Sequence, residues 1–266
     1  MPSPRWWKEY YTNERASIDL NTLFPSAPLV SLPGHGTLIF PHTRLAESGH
    51  LVAAVAKAVI ESGRDTVLAI GALHGMTRES NLRGIHTTDT LAQNEFSLDN
   101  FSALLEVAAT LSAKPMPKFI TRYPFMSGND PASLPGFDEL IQMLNDGAAL
   151  VATADMVHHG AGYDTAREKQ LAISSNDACD YARTQISQQL WHLAEHEFAK
   201  FELTCTEAQS DFRDAGPVIA ALLGEPLSTQ IHELTLVDYA KTLEAPQPTW
   251  VAAALAELAL PVGDHR

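Results

Sequence analysis

Two short apolar runs, TLIF (37–40) and TVLAIGA (66–72), bracket the segment ESGHLVAAVAKAVIESG, in which Leu51, Val52, Val55, Val59 and Ile60 recur at helical spacing. This is a strand–helix–strand unit long enough for a parallel crossover, with Gly63 placed to end the helix. The same alternation continues to the end of the chain. Helices are expected over 98–113, 136–144, 175–202, 214–224 and 249–260, and strands over 118–123, 149–155 and 231–239. Such a pattern specifies an α/β sandwich whose central, mostly parallel sheet is flanked by helices. Pro and Gly are spread along the chain rather than gathered in a linker, so residues 1–266 are expected to form a single domain with an N-terminal arm over 1–30. Trp6 and Trp7 would anchor that arm or form a contact in a homodimer.

The 266 residues carry a net charge of −14. Nucleic acid and anionic membrane surfaces, which need clustered Lys and Arg, are poor partners for such a chain. A small anionic substrate in a locally basic pocket remains compatible. Two cysteines, Cys179 and Cys205, are too few for a disulfide framework and fit a reducing cytoplasm. The N-terminal segment lacks the apolar stretch of a secretory signal, and no apolar run reaches the roughly 18 residues of a membrane span.

In α/β sheets ligands bind beyond the carboxyl ends of the strands. One expected strand ends in FPHTR and delivers His42. The next ends in GALHG and delivers His74. A third leads into ATADMVHHG, with Asp155, His158 and His159. A single histidine after a strand usually makes a loop hydrogen bond, but three at one sheet edge point to an imidazole-based site. Two histidines and a carboxylate form the facial triad of non-haem Fe(II) sites, and the same donors suit Zn or Mn.

FPHTRLAESG resembles the PHAGYxYSG segment of the Memo family, GALHG its GPSHH segment, and VATADMVHHG its SSDxxHxG segment, in the same order. Memo proteins share a fold with the class III extradiol dioxygenases, which open catechol-type rings with Fe(II) and O2. The resemblance covers roughly residues 37 to 224. It implies that His42 and His74 bind metal, that His158 is an acid/base, and that Asp155 is the acid of the SSD segment. The third ligand should lie at the head of the short apolar helix DAGPVIAALLG. Counting back from Gly224 gives Asp214, with Asp211, Glu207 and Glu202 as further candidates. Asp214 also suits a helix N-cap. The implied function is a dioxygenase acting on a small aromatic substrate with O2. The alternative is a Memo-like metal-binding protein without ring cleavage. Arg44 departs from the family pattern and would bind a substrate carboxylate or join a surface ion pair. His159 would reach substrate or be a solvated neighbour. No counterpart of the family's EHSxE segment is evident, with SGNDPASLPG taking that region.

Residues 192–196, HLAEH, fit the inverted zinc-protease pattern HxxEH. At about 100° per residue, His192, Glu195 and His196 fall opposite the stripe of Ile186, Leu190, Leu193, Phe198 and Phe201, which favours a solvated face. There is no GxSxG, phosphate-binding loop or GxGxxG, and His35 reads as a turn residue.

Overall fold

The computed structural model describes residues 2–76, 82–89 and 94–261. The expected strands at 37–40, 66–72, 118–123 and 149–155 form β1 (Gly36–Phe40), β2 (Thr66–Ile70), β4 (Lys118–Phe125) and β5 (Ala149–Thr153). They lie side by side in the order β4-β2-β5-β1, all parallel. Helix α2 (Leu45–Ser62) makes the first crossover, and Gly63 ends it in the left-handed conformation at φ 68°. A short strand β3 (Gly84–His86) pairs antiparallel with β4.

Helices cover both faces. On one face α2 and α3 (Asp99–Leu111) pack against Leu38, Phe40, Val67, Ala69 and Val151. On the other, α4 (Phe137–Asn145), α5 (Asn176–Ala194), α6 (Phe198–Ala208) and α7 (Ala215–Leu223) enclose Ile39, Leu68, Ile70, Leu150 and Ala152. The chain is therefore a mixed α/β sandwich. Among the described residues, no helix is long and apolar enough to cross a membrane.

Two expectations are corrected. The helix foreseen over 175–202 is two helices, because His196 adopts φ 51° and turns the chain between α5 and α6. The final helix foreseen over 249–260 is a strand, β8 (Thr249–Ala259). Its alanine-rich sequence favours a helix by propensity. Trp250, Ala252, Ala254, Ala256 and Leu258 instead enter one core layer, and Val251, Ala253 and Leu255 the other. A segment apolar on both faces carries no periodicity that separates strand from helix, and burial against both helical layers decides for strand.

This strand also sets the antiparallel flank of the sheet. One edge of β8 pairs with β7 (Ser228–Asp238) from Ala259 to Trp250. The opposite edge is shared: β1 runs along it as far as Ala256, and β6 (Val157–Gly160) joins at Ala252. Residues 253–255 lie between the two, beside the carboxyl end of β1. The N-terminal arm contains helix α1 (Pro4–Ser17), capped by the Ser3 hydroxyl, which accepts from the Trp6 amide.

Trp250 is fully buried, and its Nε1–H donates to the Leu171 carbonyl at 2.9 Å. Trp250→Ala is expected to lower the unfolding free energy by about 3–5 kcal/mol in urea melts. A loss below about 1 kcal/mol would contradict the central placement of β8.

Candidate metal centre

Three parallel strands deliver the site. At the exit of β1, the Thr153 hydroxyl donates to the Phe40 carbonyl at 2.9 Å, so its oxygen must accept from His42 Nδ1–H at 3.1 Å. That bond leaves His42 Nε2 facing inward. At the exit of β2, His74 Nδ1–H donates to Glu95 Oε1 at 2.9 Å, and the His74 amide donates to Glu95 Oε2 at 2.7 Å. Here too Nε2 is the free nitrogen. Glu95 Oε1 also accepts from the amides of Phe96 and Ser97. Burial alone would raise the Glu95 pKa, but His74 and these donors outweigh it and hold the carboxyl below its ordinary value.

The carboxylate that meets the two imidazoles belongs to Asp211. Its Oδ1 accepts from the Asp155 amide at 2.8 Å. Its Oδ2 lies 3.0 Å from His42 Nε2 and 3.5 Å from His74 Nε2, yet this buried oxygen makes no aligned hydrogen bond. Metal–ligand bonds of about 2.1 Å place neighbouring ligand atoms about 3 Å apart. His42, His74 and Asp211 therefore satisfy the spacing of a shared cation, and the Oδ2 without a hydrogen-bond partner is the atom a cation would engage. Burial opposes charge on both imidazoles, but Asp155, Asp211 and Glu95 outweigh it and hold them above the ordinary histidine pKa. Positive charge is thus favoured where a divalent ion would supply it. Burial also opposes ionisation of Asp211, and the two imidazoles hold its pKa well down despite this.

Asp155 Oδ1 accepts from the His42 amide at 3.1 Å, which ties the β5 exit to the β1 exit. Burial raises its pKa to about 7, with Asp211 adding to the rise and His42 opposing it. His158 Nδ1–H donates to the Gln209 carbonyl at 2.8 Å. Its pKa is lowered, chiefly by burial, so the ring is neutral with Nε2 available to accept a proton.

The remaining candidates lie elsewhere. Successive residues of a strand face opposite sides, so His159 points away from His158. It stacks on Trp250 with ring centres 4.5 Å apart and accepts from the Leu171 amide. It is neither in the cavity nor solvated. Arg44 bonds Glu47 at 2.9 Å and the Asp238 carbonyl at 3.2 Å, on the side of α2 facing Glu14. It takes the ion-pair alternative. Asp214 accepts from the Ser127 amide at 3.1 Å and makes no side-chain cap to α7. The short helical turn Asp211–Arg213 intervenes before α7, so Asp211 rather than Asp214 enters the cluster. Glu202 and Glu207 lie on α6, outside it. In HLAEH, His192 pairs with Glu197 and His196 with Glu225, so the two histidines do not converge.

Glu95 escaped the sequence reading. It lies between β3 and α3 and follows none of the apolar runs that mark the strand ends. A cavity of about 320 Å³ opens beside the cluster, lined also by Trp7, Tyr11, Phe96, Tyr163 and Tyr239. Trp7 and Tyr11 come from α1, so the arm forms part of the site. No protein-family model matches the chain, and no curated protein is significantly similar to it.

Glu95 fixes the tautomer and direction of His74, as partners behind metal-binding histidines do. Glu95→Gln is expected to weaken divalent-metal binding about 10- to 100-fold in titrations, with the circular dichroism spectrum unchanged. Unaltered affinity would remove Glu95 from the site.

Proposed function

We propose that this chain is a non-haem Fe(II)-dependent dioxygenase of the extradiol type, opening the ring of a catechol- or aminophenol-like substrate with O2. The observation that carries the proposal is the convergence of His42 Nε2, His74 Nε2 and the unbonded Asp211 Oδ2 beside an aromatic-lined cavity. Two histidines and one carboxylate fit a facial triad that leaves positions open. The Memo-like and dioxygenase-like segments support the same reading.

Fe(II) held by His42, His74 and Asp211 would supply redox chemistry with O2 and Lewis-acid activation of two adjacent ring heteroatoms. The chain's own residues supply the rest. His158 Nε2 accepts the proton of a ring hydroxyl, and the Nδ1–H bond to Gln209 keeps that nitrogen turned inward. Asp155 holds the β1 and β5 exits together through the His42 amide. Trp7, Phe96 and Tyr163 offer apolar faces to an aromatic ring and keep bulk water from it. The product is a ring-opened semialdehyde or its amino counterpart.

The first test is anaerobic metal analysis of wild type, His42→Ala, Asp211→Ala and Asp214→Ala. The expected result is about one iron per wild-type chain, loss in the first two variants and retention in the third. Iron retained by Asp211→Ala would refute the ligand set. Zn or Mn in place of iron would redirect the chemistry, since these donors suit all three. Catechols and aminophenols under O2 then test turnover. His158→Ala is expected to reduce kcat about 10²- to 10⁴-fold while leaving the metal bound. Stoichiometric metal with no turnover of any such substrate would favour the Memo-like binding role.

A further inference from the structure

Away from the metal cluster, the cavity wall contains a second polar feature. The hydroxyls of Tyr11 and Tyr239 lie 2.7 Å apart, and both side chains are buried, at 4% and 2% exposure. The Arg44 amide donates to the Tyr239 oxygen at 3.1 Å. Two phenols carry two protons, and only one can lie between the two oxygens. If Tyr239 donates to Tyr11, the Tyr11 proton is left over. If Tyr11 donates, the Tyr239 oxygen accepts from both Tyr11 and Arg44, and its own proton is left over. Among the described residues neither hydroxyl has another acceptor. Either way one phenolic proton is unspent, and both residues line the cavity.

Two other polar side chains of the wall have partners of their own. The Gln209 side-chain amide donates to the Tyr163 carbonyl, and Ser210 Oγ accepts from the Phe212 amide. Burial raises the pKa of both Tyr11 and Tyr239 well above the ordinary value, so they remain donors. The Phe96 ring stacks on His74 at 4.5 Å and on Tyr11 at 5.4 Å. One aromatic ring thus separates the imidazole from the phenol. A buried donor without an acceptor is costly, and a ligand oxygen placed there would satisfy it.

We infer that the Tyr11–Tyr239 pair is a second anchor of the site, donating a hydrogen bond to a carbonyl oxygen on the ligand's ring substituent. The substrate class is then an aromatic diol or aminophenol bearing an uncharged carbonyl group away from its two metal-directed heteroatoms. A neutral carbonyl suits the cavity better than a carboxylate, because Asp155 and Asp211 line it too. This inference rests on the aromatic-diol reading proposed above.

The test compares 3,4-dihydroxybenzaldehyde with 4-methylcatechol, which is similar in size and lacks the acceptor. Both are titrated calorimetrically, without O2, into the full chain loaded with Zn(II). The aldehyde also acidifies its ring hydroxyls, so the informative quantity is the change in the affinity ratio between wild type and variants. Tyr11→Phe/Tyr239→Phe is expected to reduce the aldehyde's advantage about 5- to 10-fold, the value of one hydrogen bond, and Tyr11→Phe alone by about twofold or more. A ratio unchanged in both variants overturns the inference, as does failure of both probes to bind the wild type. Ring opening of 4-methylcatechol by Fe(II)-loaded wild type under O2 reports separately on the reaction. A collapsed ratio without ring opening keeps the anchor and removes the dioxygenase. Ring opening with an unchanged ratio does the reverse.

Discussion

Buried carboxylates need positive charge, and three of them meet here. Asp155, Asp211 and Glu95 surround His42 and His74 at the wall of the cavity, where Asp155, Glu95 and His42 are buried and Asp211 and His74 are partly so. An isolated buried carboxylate would take up a proton or force the structure open. Two of these keep low pKa values because imidazole nitrogens approach Glu95 to 2.9 Å and Asp211 to 3.0 Å, whereas His42 Nε2 stands 3.7 Å from Asp155, which burial raises toward neutrality. The division has a structural cause. Glu95 receives His74 Nδ1–H and three backbone amides, whereas Asp155 receives one amide. Asp211 Oδ2 is left with charge and no aligned donor. The whole arrangement favours a cation at that oxygen, and the tautomer each histidine must adopt follows from what is bonded to its Nδ1.

The sheet makes this concentration of charge affordable in conformational terms. Because β8 is covered along one edge by β7 and shared along the other by β1 and β6, the chain has a break in pairing beside the carboxyl end of β1. The backbone there is satisfied locally, with the Ala154 amide bonded to the Phe40 carbonyl and the Asp211 amide reaching the Asp155 carbonyl at 3.4 Å. Ligand atoms from β1, β2, the β5–β6 turn and the turn before α7 can then converge without interrupting a ladder.

Much of this was legible in the residues alone. His42, His74, Asp155 and His158 follow apolar runs whose strand character is plain, and parallel strands must release their ends on one side. Counting back from Gly224 reaches Asp214 and not Asp211, because a separate turn at 211–213 does not register in apolar spacing. His159 cannot be told from His158 by pattern because β6 is only four residues long, too short for its alternation to announce which histidine faces inward. The β8 error has a different origin: local propensity and tertiary burial disagree there, and only the layers packed on either side settle it. Glu95 belongs to no strand end, so a search confined to strand ends passes over it.

The N-terminal arm shows how a segment that looks peripheral becomes part of a site. Pro4 and the Ser3 cap start α1 where Pro4 meets Gly75, just after His74. A side chain at position 75 would collide with Pro4, since a Cβ there would come within 2.3 Å of it, and Gly75 also adopts φ 70°. The glycine therefore serves two needs, the turn after His74 and the close approach of the arm. From that contact the helix brings Trp7 and Tyr11 one turn apart onto the same face, against Phe96 and Tyr239. The aromatic wall of the cavity is thus assembled from four distant segments of chain, held at one corner by a residue with no side chain at all.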